Sequence, residues 1–543
     1  MITKENIKYF YGLSPLQEGM LYHYLLDEQT TANVHQLSYT VRGPLNPTLF
    51  EESWNRILSR HDMLRTNFIY KKVKKPIQLV LKERKVEFHQ EDISQLSETE
   101  QEHYLNQFRE QDKKRGFDPG KDVLLRIAVI RLSEEQHLVI WTYHHLILDG
   151  WCMGIVMGEL IQIYEQLLKG SSPELQDAIS YGEYIKYLSK IPPSKSRQYW
   201  KNYLNHYEVC ESFPKKKNDA KESYRYANHR FEISEQLLKQ LQEFSQSCNA
   251  TLNATLQSAW GILLGKYNNN QDAVFGYTVS GRNPEIQGVE EIIGLFINTI
   301  PVRIHFQESE RVRELVTRTH EEAVEAQAFH HSSLAEIQSV SGAGSKLIDH
   351  IVVFENFPVN EKIEEESKGV IEIEGVEIFE HTTYDLALTF LPGKSLRIRI
   401  EYNALVFDSQ IIERIASQFT QIVSAICENQ EVRINEIELI SPSEREFLLQ
   451  EYNRTESNYP KESGLAVLFE QQVLAHPDKL ALRFGAAEFT YAELNQRANQ
   501  LANYLEQLKD VSDRPVAILL RRSPELYVAI LAVLKLGAPY LPL

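Results

Sequence analysis

The stretch "WTYHHLILDGWC", residues 141–152, sets His144 and His145 side by side and follows them with Asp149 and Gly150. Imidazole changes charge close to neutral pH, so this spacing suggests proton transfer. No serine or cysteine is obviously paired with the histidines as a nucleophile. Cys152 would be the second residue of a helix, a position that can activate a thiol. Nothing in the motif aims it at a substrate, so it reads as a small packing residue. A buried aspartate needs a partner. Arg282, which closes "DAVFGYTVSGR" (272–282), is the cation assigned to Asp149. Such a pair would hold a turn in shape rather than take part in bond making. Gly150 would let the backbone bend or approach another group closely. The helix beginning there offers N–H groups to a developing oxyanion. The competing reading is an ordinary strand end with two hydrogen-bonded histidines.

Several elements must position these residues. "VLLRIAVIRL" (123–132) and "HLVIWTYHH" (137–145) are rich in β-branched and aromatic residues and flank the polar "SEEQ". They are predicted to pair as strands. After Asp149 the period changes. Ile155, Leu160, Tyr164 and Leu167 share a helical face and Gly170 supplies a stop, so a helix is expected over 151–170. The histidines therefore sit at a strand–turn–helix junction. A helix followed by a strand-like step is expected over 48–68, and a crossover between two lobes over 167–188. A helix capped by Thr251 is expected over 251–269, followed by a buried strand from 272. Residues 441–464 read as a short helix and a polar linker. A new α/β pattern starts near 465 and runs to "LKLGAPYLPL", which reads as a cut through a further domain.

The chain has 543 residues and a formal net charge of -17, so several domains are expected and nucleic acid is disfavoured as a ligand. The four cysteines stand far apart, without a CxxC pair. That argues against a disulfide framework or a metal site and fits a reducing cytosol. The N-terminus lacks a signal-peptide core, and "LYVAILAVL" (526–534) is too short to span a bilayer. A cytoplasmic protein without membrane contact is expected. "SGAGSK" (341–346) lacks the phosphate-loop pattern and reads as a mobile loop. The basic run 71–85 reads as the solvated face of a hairpin, with attraction of an acidic partner as the other reading.

The motif set resembles the condensation domain of nonribosomal peptide synthetases. "LSPLQEGMLYH" (13–23), "RHDMLRTNF" (60–68), HHxxxDG, "ISYGEYIKYL" (179–188), "IGLFINTIPVR" (293–303), "FHHSSLAEIQ" (329–338) and "VVFENFP" (352–358) follow family order over residues 8 to 445. The resemblance implies a two-lobed, pseudo-dimeric α/β fold like that of chloramphenicol acetyltransferase. "FTYAELNQRANQLANYL" (489–505) and "LKLGAPYLPL" (534–543) resemble the first core motifs of an amino-acid adenylation domain, an α/β adenylate-forming fold. The phosphate-binding loop expected further on is missing, so this fragment should not adenylate anything.

The resemblance also implies a nucleophile. It is the α-amine of an aminoacyl group tethered through phosphopantetheine to a downstream carrier protein. It attacks a thioester on an upstream carrier, with no permanently bound cofactor and no metal. His145 would orient the amine and accept its proton, either as a true base or as a positioning group. His144, its strand neighbour, faces the other way and more naturally packs within the strand end. Asp149 would be structural, paired with Arg282, and Gly150 would keep the channel floor open. Arg65 would line or brace the site. Trp151, Asn298 and Asn356 are assigned to the substrate channel, with loop fixing or turn capping as the other reading for the two asparagines.

The opening motif resembles the subtype that takes a D-configured donor and an L-acceptor. Expected boundaries are a docking segment for an upstream subunit at 1–12, lobes at 13–175 and 176–440, a linker at 441–464 and the adenylation fragment at 465–543. The rivals are an epimerization domain, which shares HHxxxDG, a free-standing acyltransferase using coenzyme A, and a degenerate docking scaffold.

Overall fold

The strand that carries the histidine pair, Gln136–His144, is the middle strand of a five-stranded sheet. The computed structural model describes residues 3–26, 33–216, 224–283, 285–355, 371–379, 384–508 and 514–543. The chain divides into two compact units, Met1–Pro442 and Ser443–Leu543.

The sheet order in the first unit is Glu372–Phe379, Val34–Arg42, Gln136–His144, Leu125–Ser133, Glu87–Asp92. All neighbours are antiparallel except the last pair. The expected strand pair is present, with Ala128 opposite Ile140. Both faces of Gln136–His144 are buried, which is why its sequence is a nearly continuous apolar run. The strand ends at His144, so His145 opens the turn that follows.

Helix Pro47–Arg60 covers one face. Asn46 caps it by accepting from the Thr48 and Leu49 amides at 3.1 and 3.2 Å. Phe50, Trp54, Ile57 and Leu58 recur at helical spacing and are buried. Trp54 meets Trp141 of the histidine strand edge-on, with ring centroids 4.9 Å apart. Helix Gly150–Leu168 packs beside it, and Gly170 beyond its end takes φ +71°, a left-handed conformation glycine adopts without strain.

A second sheet has six strands in the order Asn298–His305, Asp272–Val279, Ile351–Phe354, Leu386–Pro392, Leu396–Asn403, Tyr226–Ile233. Helix Leu252–Asn268 packs on it, and the Thr251 hydroxyl accepts from the Ala254 amide at 3.2 Å. The two halves exchange segments. Glu372–Phe379 comes from the second half of the chain yet forms the edge of the first sheet, with Phe379 opposite Gln36. Ile292, Ile293, Leu295 and Phe296 are buried in the core of the first half.

The 341–346 stretch expected as a mobile loop is instead the end of a helix and a 3-10 turn, Gly344–Leu347. Leu347 is buried and anchors the turn. The basic run sits on a hairpin of Thr66–Ile69 and Ile77–Leu81, with Lys71, Lys72, Lys74 and Lys75 exposed.

The second unit holds the hairpin Leu480–Phe484/Ala487–Thr490, helix Tyr491–Leu508, and a parallel pair, Val516–Ile518 with Tyr540–Pro542, joined through helix Pro524–Lys535. Among the described residues, no helix is long and apolar enough to cross a membrane. Among them, no group of three or more His, Cys, Asp and Glu side chains is placed to hold a metal ion.

Candidate active site

The turn after the histidine strand decides how each histidine is used. The backbone amide of His144 donates to Leu124 O at 2.9 Å and that of His145 to Asn33 O at 2.8 Å. The turn is thus bonded to segments on both sides. The His144 ring points into the core. Its Nδ1 accepts from the Leu146 amide at 3.1 Å, and burial pushes its pKa down to about 3. The His145 ring points into a cavity of about 1460 Å³. Its Nδ1 lies 2.5 Å from Leu148 O. A carbonyl can only accept, so Nδ1 carries a proton, and in the neutral form of the ring the lone pair lies on Nε2.

Asp149 caps the following helix, accepting from the Cys152 amide at 3.2 Å. Its other carboxylate oxygen accepts from the Phe296 amide at 2.9 Å. Arg282 Nη2 lies 3.4 Å from Asp149 Oδ1, and both side chains are fully buried. Arg282 also donates to Val289 O and Ile292 O, at 2.5 and 2.9 Å, and lies 4.3 Å over the Phe296 ring. The aspartate is therefore held mainly by backbone amides, with the arginine as a longer contact. The Cys152 thiol lies 3.2 Å from both Asp149 Oδ1 and Gly294 O. Burial pushes it up to about 12, so it stays a thiol.

Two glycines allow this close fit. Gly281 has φ +64°, and a Cβ there would lie 1.8 Å from Phe296 O. A Cβ at Gly294 would lie 2.1 Å from the Tyr181 ring, whose hydroxyl donates to Leu295 O at 2.5 Å. The 292–296 segment is thereby locked against the histidine turn.

The cavity wall includes His145, Gly150, Trp151 and Asn298. It does not include His144, Asp149, Arg282 or Arg65. His144 and Asp149 are both set back from the cavity. Strand alternation turns His144 inward, and the carboxylate of Asp149 is used up by the cap and the lock. Arg65 braces the first half, donating to Leu81 O and Leu58 O at 2.7 and 2.8 Å and pairing with Asp62. Trp151 Nε1 donates to Glu290 O at 3.3 Å. Asn298 Nδ2 donates to His330 O and Ser332 O, at 2.8 and 2.6 Å, and pins that turn. Asn356 lies outside the described residues.

Gln17 was not singled out by sequence reasoning. Fully buried, it donates to Leu146 O at 3.0 Å and to Gln78 Oε1 at 3.1 Å, which ties the opening motif to the histidine turn. Its place in "LSPLQEGMLYH" was visible, but its partners are distant in sequence. His35 was also missed. It lines the cavity beside His145.

The condensation-domain family profile matches residues 7–449. The chain belongs to the condensation-domain family. The AMP-binding enzyme profile matches residues 469–543, so the condensation domain is followed by the start of an AMP-binding domain. Surfactin synthase subunit 3 of Bacillus subtilis (strain 168) is 37% identical over 99% of this chain and 42% of its own length. Gramicidin S synthase 2 of Brevibacillus brevis is 36% identical over 99% of this chain and 12% of its own length. The chain thus spans less than half of these curated relatives. The crystal structure of a four-domain nonribosomal peptide synthetase bound to AMP and glycine has a TM-score of 0.77 at 20% identity. That likeness covers 99% of this chain and 42% of that one, and it supports the two-lobed α/β fold of the condensation domain.

Proposed function

We propose that this condensation domain forms peptide bonds between two carrier-bound substrates. The acceptor is an L-aminoacyl thioester on a downstream carrier protein. The donor is an aminoacyl or peptidyl thioester, with a D-configured terminal residue, on an upstream carrier. Phosphopantetheine arms bring both into the cavity as part of the substrates. The observation that carries this reading is the placement of His145 on the cavity wall, with Nδ1 committed to Leu148 O and the lone pair of the neutral ring on Nε2.

The acceptor amine attacks the donor carbonyl carbon. A C–N bond forms and the C–S bond breaks. The proton lost by nitrogen passes to His145 Nε2 and leaves with the departing thiolate. Holding two tethered reactants at attack distance supplies much of the rate. This is why an enzyme nucleophile is unnecessary. Asp149 and Arg282 keep the turn in place, and Gly150 leaves room beside the histidine.

The same reading divides the chain into a docking segment (1–12) for an upstream synthetase subunit, lobes at 13–175 and 176–440, a linker at 441–464 and an adenylation fragment at 465–543. It places the protein in the cytoplasm. Dipeptide formation with D- and L-loaded donor carriers tests it. The D-donor should be preferred, and His145→Ala should lower the rate by about 10²- to 10⁴-fold. A change in α-carbon configuration without a new amide bond would favour epimerization. Full peptide-bond formation by His145→Ala would refute the assigned role.

A further inference from the structure

His35 lies at the start of strand Val34–Arg42, opposite Tyr143 in register with the histidine strand. Its ring centroid is 4.4 Å from that of His145, with the planes inclined by 37°. The Tyr143 ring centroid lies 5.5 Å from that of His35. His35 is 6% exposed, yet both imidazoles line the cavity. The His145 amide bonds to Asn33 O, two residues before His35, so the two ring-bearing segments are fixed to each other through the backbone.

The last torsion of a histidine side chain is soft and roughly two-fold. A half-turn of His145 about it would put Cδ2 in the place of Nδ1 and Cε1 in the place of Nε2, and break the bond from Nδ1 to Leu148 O. A tilted ring with its centroid 4.4 Å away crowds the His145 imidazole and obstructs that rotation.

We propose that His35 is a positioning residue for His145, holding its ring so that Nε2 faces the incoming amine. The inference rests on the reading of His145 as the group that meets the amine. His35 itself exchanges no proton with substrate. It acts through the orientation of its neighbour.

The test uses the full chain with loaded donor and acceptor carriers. His35→Ala lowers kcat by at least about tenfold, as expected when a reacting group is misplaced, while KM for the loaded acceptor carrier stays within about twofold. His35→Phe, which restores a ring over His145, recovers most of the lost rate. Histidine-selective ¹⁵N spectra, assigned with His145→Ala, supply a readout independent of turnover. Wild type and His35→Phe show His145 protonated at Nδ1, and His35→Ala shows tautomer exchange. A His35→Ala enzyme with kcat within twofold of wild type overturns the proposal. So does a slow His35→Ala enzyme with unchanged His145 nitrogen signals. A wild-type chain that makes no dipeptide defeats the functional reading instead, while the nitrogen spectra still decide the positioning role.

Discussion

Asp149 binds with both carboxylate oxygens: one meets the Cys152 amide and Arg282, the other the Phe296 amide. Asp149→Ala leaves a buried guanidinium without its carboxylate, so the first unfolding transition in urea should lose about 3–5 kcal/mol. Asp149→Asn, which keeps one acceptor, should lose less. His144 has the opposite electrostatic character. Its folded pKa of about 3 lies below the ordinary 6.5, so between those values the unfolded chain binds the extra proton. Stability from this residue is therefore present above pH 6.5 and is lost as pH falls toward 3, with a slope approaching about 1.4 kcal/mol per pH unit. His144→Gln keeps an acceptor for the Leu146 amide and should flatten that acid loss in pH-dependent melting curves. The family resemblance gave the amine to His145 and packing to His144, whereas strand alternation by itself only sets the two rings apart. The turn that starts at His145 decides which ring reaches the cavity.

At the scale of elements, local rules carried far. The strand pair, the Thr251 cap and the glycine stop at Gly170 all follow from patterns a few residues long. The lock between the 292–296 segment and the histidine turn does not, because its partners are more than a hundred residues apart. Gly281 shows what that lock demands. Both Gly281 and Gly43 have positive φ, but a Cβ at Gly43 meets nothing within 4 Å. Gly43→Ala should cost about 1 kcal/mol from backbone strain alone. Gly281→Ala should cost clearly more, because the new methyl collides with Phe296 O. Chemical denaturation of the two variants separates strain from collision.

For the first unit as a whole, the exchange of segments between halves has a direct consequence. The core around Trp54 and Trp141 includes Ile292, Leu295 and Phe296, and its sheet is edged by Glu372–Phe379. Residues 13–175 expressed alone should lack a cooperative unfolding transition, whereas residues 1–442 should melt cooperatively. Calorimetry on the two fragments checks this. Nothing in the sequence around 286–297 or 372–379 announced that these stretches serve the other half. Apolar residues report that they will be buried, but not against which partner.

Residue order alone was enough for the family resemblance, the strand–turn–helix junction and the expected Asp149–Arg282 pairing, since motifs and short-range periodicity are written along the chain. Only the tertiary structure decided that backbone amides are the shorter contacts of that aspartate, that His144 is core, and that Gln17 and His35 stand against the histidine turn. Those contacts join residues that are neighbours in space after the sheet has assembled, and the energies that select them depend on burial and distance rather than on order.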